Sequence, residues 1–243
     1  MDALDERNVL ALIQHVGDAD NTATALQLFR AVMGHLGADS GVFLSQLRDD
    51  ATRSSYRSLL VCDPLWAAEY AQAGWHEHDP WLRHATLHTE PIRASEMQLV
   101  SSEEQAFVAR SAVLGFRSAL IIPAPSCVGL SRVGVLCLGS ATPGVFDDGE
   151  CALRRVLARA LAMELHRWVH RSMREELLAR SRLTAADLEL LRHEAAGHGS
   201  KVIGALLNVE AKTIDCRFQR INAKLGAPDR RTAVRMAKLY GLI

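Results

Sequence analysis

The sequence predicts an N-terminal α/β domain, an α/β/α sandwich around an antiparallel sheet, followed by an all-α C-terminal domain of four helices. Helical and strand-like apolar spacings alternate over roughly the first 170 residues, whereas only helical spacing occurs after Leu183. The charge changes at the same place. Residues 1–170 hold 14 Arg and no Lys against 20 acidic residues, and residues 171–243 hold 10 Arg and 4 Lys against 8. We therefore predict domains over 1–171 and 182–243, and an anionic partner for the second.

The N-terminal helices are predicted from helical spacing of the apolar residues, and the strands from short apolar runs. Helices are predicted over 5–16, 22–37 and 102–114, around Trp66 and Tyr70, and from Asp79-Pro80 onward; strands are predicted over 41–47, 58–62, 118–125 and 132–140. Asp147 or Asp148 is expected to cap a long helix that runs to about Arg171. Residues 172–181 then extend this helix or form a linker.

Several classes of protein are disfavoured by composition. No apolar run is long enough to span a membrane, and the acidic start MDALDERNVL does not resemble a signal peptide, so we expect a cytoplasmic protein without a membrane partner. The five Cys residues are odd in number and form no CxxC pair, which argues against disulfides and structural zinc. We expect no metal, no cofactor and no catalytic residues, because no nucleophile–base arrangement is recognisable.

The third helix of the C-terminal domain has two distinct faces. Ile214, Phe218, Ile221 and Leu225 are spaced for one buried stripe, and before it Ser200 is expected to cap a short helix that buries Val202, Ile203, Leu206 and Leu207. Lys212, Cys216, Gln219 and Ala223 point away from the stripe, Asp215 and Arg220 lie at its margins, and Arg217 and Lys224 lie closer to it. Small, amide and basic side chains suit the major groove of DNA. The alternative is a solvated polar face.

The segment from Leu183 to Ile243 resembles, nearly end to end, the helix-turn-helix of LuxR-type regulators. It has the Leu183-Thr184 opening, Gly197, Thr213-Ile214, the KLG at 224–226 and the closing GLI. The resemblance implies binding to double-stranded, palindromic operator DNA by the third helix. We take its contact residues to be Lys212, Thr213, Asp215, Cys216, Arg217, Gln219, Arg220 and Lys224. Asp215 and Glu210 are acidic departures from the family, although Asp215 has the chemistry to accept a hydrogen bond from cytosine N4.

The N-terminal domain carries the pattern Trp66-x3-Tyr70-x8-Asp79-Pro80. Trp66 and Tyr70 share one helix face, and Asp79-Pro80 is an N-cap followed by proline at the first helical position. By itself this pattern also describes an aromatic core pair and a capped helix. It resembles the autoinducer-binding domain of the same family, which implies an N-acyl-homoserine lactone as the ligand. Trp66 would then donate to the lactone carbonyl, Asp79 would accept from the amide N–H, and Tyr70 would line the acyl chain.

The pocket departs from the family pattern at four positions. Cys62 stands where many members have a tyrosine, Ala94 where a tryptophan is usual, and Trp81 where the family has a smaller residue. Cys137 takes the place of a ligand-contacting hydroxyl. We expect Cys62, Cys137 and Trp81 to line a rearranged pocket, with Trp81 filling volume vacated at position 94.

These features together predict a ligand-responsive transcription regulator for quorum sensing. Its long helix is expected to pack on its own sheet or against a second copy in a homodimer, through Leu153, Val156, Leu157, Ala160, Leu161 and Leu165. Two alternatives remain: a regulator without a cognate synthase that senses a different small molecule, and a ligand-independent regulator that acts by pairing with another regulator.

Overall fold

Within residues 3–48, 54–126, 131–147 and 151–243, the part of the chain that this computed structural model describes, a five-stranded antiparallel sheet organises the N-terminal region. The strands are β1 (Ser40–Arg48), β2 (Ser54–Val61), β3 (Ile92–Arg93), β4 (Ser118–Pro125) and β5 (Arg132–Ser140), in the order β2-β1-β5-β4-β3. The four predicted strands are confirmed. The sequence analysis missed β3, because two residues are too few to show a period.

Helices cover both faces of this sheet, as the predicted sandwich requires. The N-terminal region contains α1 (Ala3–Asp18), α2 (Thr22–His35), α3 (Pro64–Gln72), α4 (Pro80–Leu87), α5 (Ser102–Val113) and α6 (Cys151–Ser181). Side chains alternate along β1, so the Phe43 ring meets His166 of α6 on one face. On the other face, Val42 and Leu44 pack in one cluster with Trp66 of α3 and Trp81 of α4.

The long helix α6 extends beyond its predicted C-terminal end. Before its N-terminal end, Asp147 lies in a turn and accepts hydrogen bonds from Ser95 and Arg93, and its predicted role as the cap stays a prediction. The other predicted cap, Asp148, lies outside the described residues. At its C-terminal end, α6 continues to Ser181, so residues 172–181 are a helical extension, and Leu177 packs in the C-terminal core. Contacts divide the chain into Met1–Val169 and His170–Ile243.

The C-terminal region is helical throughout and has its own core. After α6 come α7 (Ala185–Ala195), α8 (Ser200–Leu207), α9 (Ala211–Leu225) and α10 (Arg230–Leu239). The predicted stripe Ile214, Phe218, Ile221 and Leu225 is buried. Thr184 and Asp187 form a reciprocal capping box at the start of α7.

Two sequence predictions about helix α8 are wrong. Its N-cap is Gly199 rather than Ser200, whose hydroxyl is hydrogen-bonded to Asp215. Ile203 is buried as expected, but Val202 and Leu206 are 48% and 59% exposed. Both residues precede a core-facing position by one, which turns them about 100° away from the core. A run of consecutive apolar residues on a two-turn helix therefore overstated its buried face.

Among the described ranges, no helix combines the length and apolarity needed to span a membrane. The same ranges contain no group of three or more His, Cys, Asp or Glu side chains arranged to hold a metal ion.

Candidate ligand pocket and nucleic-acid interface

A cavity of about 360 Å³ lies between α3 and the face formed by β1 and β2. Its lining is mostly apolar, with a few hydroxyl and ring nitrogen groups: Leu44, Tyr56, Ser58, Leu60, Trp66, Ala67, Tyr70, Ala71 and His76. Trp66 and Tyr70, one helical turn apart, stack with their ring centroids 4.8 Å apart, which confirms that they share a helix face. A small apolar cavity with few polar groups is the usual form of a small-molecule site.

The indole of Trp66 already has a hydrogen-bond partner inside the protein. Its Nε1–H donates to Ser111 Oγ at 3.1 Å, and Ser111 lies on α5 with none of its surface exposed. The Ser111 hydroxyl accepts in this bond, so its own proton remains available for donation. The sequence analysis missed Ser111, because a single serine in an amphipathic helix gives no signal.

The Asp79 carboxylate is buried and joins three groups. Its Oδ1 accepts from the backbone N–H groups of Trp81 and Leu82 at 2.8 and 3.1 Å, which confirms the predicted N-cap of α4. Its Oδ2 accepts from the Tyr70 hydroxyl at 2.9 Å. Asp79 does not line the cavity itself but is connected to it through Tyr70. A carboxylate offers roughly four acceptor positions, so one remains for a further donor.

Burial dominates the electrostatics of this group. It raises the pKa of the Asp79 carboxyl from 3.8 to about 6, although the hydrogen bonds from Leu82, Tyr70 and Trp81 act in the opposite direction. Burial, and then the Asp79 charge, raise the pKa of the Tyr70 hydroxyl, which therefore stays protonated as a donor. The site therefore contains the Asp79 carboxyl, whose pKa is about 6, held in place by a hydrogen bond from the neutral Tyr70 hydroxyl.

Trp81 fills the interior beside the Asp79 cap. Its ring meets Phe107 nearly edge-on at 4.8 Å and Phe116 at 5.3 Å, and the residue is 1% exposed. Its indole N–H is buried and has no hydrogen-bond acceptor among the described residues. Ala94 packs against the same cluster. A buried donor without an acceptor costs roughly 1–3 kcal/mol, so this N–H is suited to donate a hydrogen bond to an acceptor on a bound molecule.

The two predicted pocket cysteines lie in different surroundings. Cys137 on β5 is buried in the aromatic cluster, where burial and the nearby Asp79 charge raise the pKa of its thiol. Cys62 packs at the edge of that cluster but lines a separate depression next to Arg30 and Asp39, outside the Trp66–Tyr70 cavity. Burial, and then the Asp63 charge, raise the pKa of the Cys62 thiol to about 11. The structure thus brings Cys137 close to Asp79 and leaves Cys62 apart from the cavity.

A partly buried ion pair, whose carboxylate is the buried partner, holds α4 against α5 near this site. Arg83 donates through Nε and Nη2 to the two oxygens of Glu104 at 2.6 and 2.9 Å, and Glu104 also accepts from the Val100 N–H. The Glu104 side chain is only 5% exposed. Because Asp79 caps α4, this pair helps to fix the carboxylate relative to Ser111 on α5.

The outward face of α9 is exposed as the sequence analysis expected. A shallow groove of about 440 Å³ gathers five of the eight predicted DNA contacts and is lined by Glu210, Lys212, Thr213, Cys216, Arg217 and Arg220. Gln219 is exposed on the same helix. Three cations around small and polar side chains form a surface that suits a nucleic-acid backbone.

The remaining two predicted contacts are engaged within the domain. Lys224 Nζ donates to Asp187 at 2.6 Å and to the Arg182 carbonyl at 3.1 Å, so its charge is offset by the capping box of α7. Asp215 accepts from Ser200 and forms an ion pair with Arg230. The sequence analysis missed Arg230, because its partners lie 15 and 30 residues away along the chain.

Comparisons with known proteins agree with this two-part organisation. A family model described as "Autoinducer binding domain" matches residues 21–169, and one described as "Bacterial regulatory proteins, luxR family" matches residues 181–237. Transcriptional activator protein VanR of Vibrio anguillarum is 21% identical over 180 residues, which cover 73% of each chain.

Solved structures with a similar fold include two of SdiA and one of CepR2. SdiA in complex with octanoyl-rac-glycerol has a TM-score of 0.75 at 15% identity and covers 100% of this chain and 98% of its own. Escherichia coli SdiA in a second structure has a TM-score of 0.74 at 15% identity, over 98% and 97%. CepR2 from Burkholderia cenocepacia, described as N-acylhomoserine lactone dependent, has a TM-score of 0.58 at 19% identity, over 69% and 96%. Because the autoinducer-binding model alone spans more than half of the sequence, the chain belongs to the LuxR family of DNA-binding transcription regulators with an autoinducer-binding domain.

Proposed function

We propose that the N-terminal domain binds an N-acyl-homoserine lactone in the Trp66–Tyr70 cavity, and that the C-terminal domain binds a palindromic DNA operator through α9. The observation that carries the ligand proposal is an apolar cavity connected by one phenol to a buried carboxylate. Such a signal has an apolar tail and a polar head, and this site offers both environments. We place the regulator in the cytoplasm, where operator DNA is accessible.

The acyl tail fits the apolar part of the cavity. Leu44, Leu60, Ala67 and Ala71 line it without offering a polar side-chain group. Each buried methylene contributes roughly 0.8 kcal/mol, so affinity should rise with chain length until the cavity is full. The cavity volume therefore sets the preferred acyl length.

The polar head fits the groups around Asp79. The fourth acceptor position of its carboxylate suits the amide N–H of the ligand. Two indole donors are available for the carbonyl oxygens: Trp66, by exchange of its Ser111 bond, and Trp81, which has no acceptor within the described chain. The family role of Trp66 as the lactone donor thus carries over with one exchange of hydrogen bonds.

A hydroxyl-bearing amphiphile is the second candidate ligand. The Trp66–Ser111 bond favours it, since a ligand hydroxyl is able both to donate to Asp79 and to accept from Ser111 without breaking that bond. SdiA, which has a similar fold, has been crystallised with octanoyl-rac-glycerol. An acylglycerol therefore belongs in any panel of test ligands.

The exposed apolar face of α6 supports a homodimer. Leu157, Leu161 and Leu165 are buried within the protein itself, whereas Val156 and Met163 remain 62% and 44% exposed. Val156 and Met163 are seven residues apart and share a side of the helix, along with the partly exposed Leu153. We infer that a second copy of the chain covers this face.

The ligand experiment is mass spectrometry of small molecules retained by protein that has been expressed with a panel of acyl-homoserine lactones and acylglycerols. Trp81→Phe and Asp79→Asn should each weaken binding of the preferred lactone by about tenfold, equivalent to about 1.4 kcal/mol for one lost head-group bond. Trp168→Phe is the matched control, since its buried indole donates to Ala19 far from the cavity. Retention of a lactone by both site variants at wild-type affinity would refute the head-group assignment.

The DNA experiment compares variants of the α9 surface on duplex DNA. Arg217→Gln and Lys212→Gln should weaken binding to every sequence and reduce the dependence of affinity on salt, because each removes a phosphate-neutralising charge. Gln219→Ala should relax base preference instead. If all three changes leave duplex binding untouched, α9 is not the helix that enters the groove.

A further inference from the structure

Asp215 places a negative charge on the helix that is proposed to enter DNA. It lies three residues after Lys212 and four before Gln219, so all three share one side of α9. Its side chain is 53% exposed. When α9 contacts DNA, a free carboxylate there would come within the screening length of roughly 8 Å at physiological salt and would repel the phosphate backbone.

The structure holds this carboxylate in a small network of side chains, which we name the Asp215 clasp: Ser200, Asp215, Phe218 and Arg230. Asp215 Oδ1 accepts from Ser200 Oγ at 2.6 Å and forms an ion pair with Arg230 Nη2. Arg230 also donates through Nη1 to Ser200 at 2.8 Å. The clasp therefore connects the first residue of α8, the middle of α9 and the first residue of α10.

Arg230 itself is fixed on several sides. Its guanidinium carbon lies 4.3 Å from the centroid of the Phe218 ring, and Glu194 of α7 lies 3.7 Å from Nη1. Stacking on an aromatic ring combined with a forked hydrogen-bond pattern is specific to arginine and is not reproduced by lysine. The bonds from Ser200 and Arg230 lower the pKa of the Asp215 carboxyl, so the pair is ionised at neutral pH.

We propose that Arg230 is a positioning residue for DNA recognition, which offsets the Asp215 charge and holds it at the flank of α9 so that the helix can approach the phosphates. This inference rests on the proposed role of α9. In this proposal, Arg230 affects DNA binding through its pairing with Asp215 rather than by direct contact with DNA. Loss of Arg230 should therefore harm DNA binding mainly because it releases Asp215.

The test is a double-mutant cycle measured by fluorescence anisotropy on a mixed-sequence duplex, with the full chain at several salt concentrations. Phosphate attraction is independent of sequence, so no operator has to be known. Arg230→Gln should bind about tenfold more weakly than wild type, and Asp215→Asn should bind as tightly or more tightly. The double variant should recover to within about threefold of wild type, since the neutral pair leaves no free carboxylate at position 215.

Arg231→Gln is the matched control, because it removes the same charge from the next residue of α10. Asp215→Asn should not rescue it. Should Arg230→Gln fail to fold in thermal unfolding, Arg230→Lys keeps the charge and tests the same coupling with a smaller expected loss.

Two outcomes would overturn the inference. If Asp215→Asn binds as weakly as Arg230→Gln, the clasp serves only to stabilise the domain. If the double variant binds as weakly as Arg230→Gln alone, Arg230 acts on the phosphates directly. Lys212→Gln reports on the proposed function separately: if it leaves binding unchanged, α9 does not face DNA, whatever the cycle shows.

Discussion

The Asp79 carboxyl should make the N-terminal domain more stable as the pH falls, which is opposite to the usual effect of a carboxyl group. It is buried beneath the Tyr70 hydroxyl, and burial raises its pKa from 3.8 to about 6. A group with a raised pKa in the folded state binds its proton more tightly there than in the unfolded chain. It therefore adds stability that is fully present below pH 3.8 and is lost as the pH rises through about 6.

The size of the effect follows from linkage. The rise of the Asp79 pKa from 3.8 to about 6 corresponds to about 3 kcal/mol over the full titration. A little under half of this free energy is gained between about pH 7 and about pH 5, where the folded protein takes up the proton and the unfolded chain does not. Over that interval the free energy of unfolding should increase by about 1.3 kcal/mol on acidification from this group alone.

Asp79→Asn removes the charge and keeps an oxygen that can cap α4, since Asn and Asp are comparable N-caps. The difference in unfolding free energy between wild type and variant should therefore change by about 1.3 kcal/mol between about pH 7 and about pH 5, in favour of wild type at the lower pH. Taking this difference cancels the other titrating groups.

Urea unfolding followed by tryptophan fluorescence is the assay. All four Trp residues lie before residue 170, so the signal reports the N-terminal domain. Asp63→Asn, at the exposed N-cap of α3, is the matched control. A wild-type-minus-variant difference for Asp79 that is the same at both pH values would refute the argument that burial raises its pKa.

Two further predictions concern stability and are tested by the same denaturation, with circular dichroism for the C-terminal domain. Glu104→Ala should cost roughly 1–3 kcal/mol, because it removes a 5% exposed carboxylate that pairs with Arg83 and leaves the Val100 N–H without its acceptor. Glu69→Ala, in the exposed pair with Arg110, should cost much less; equal losses would contradict the role given to burial. Gly204→Ala should destabilise the C-terminal domain although alanine favours helices, since its Cβ would lie 2.5 Å from the Val209 carbonyl oxygen. Gly34→Ala, with nothing within 4 Å of the added carbon, should instead stabilise its domain by up to about 1 kcal/mol, and a gain at both positions would refute the packing argument.

Local signals in the sequence were sufficient for most of the framework. Short apolar runs predicted the four long strands and a 3.6-residue apolar period predicted the stripe on α9, because each signal depends on residues close together in the chain. Asp79-Pro80 and Thr184 predicted helix starts for the same reason, since a cap is satisfied within three residues. The resemblance then selected the functional class, and the family models agree with it.

Only the tertiary structure decided which polar groups bond to one another. Trp66 donates to Ser111, which lies 45 residues away in the sequence, and Arg83 donates to Glu104, which lies 21 residues away. Sequence spacing carries no information about such pairs, because the chain between them sets neither distance nor direction. For the same reason, the sequence does not reveal that the exposed carboxylate of Asp215 is paired with Arg230. The sequence alone determined which elements form and which chemistry they carry, whereas packing between distant segments decided which polar groups are already satisfied and which remain for a ligand or for DNA.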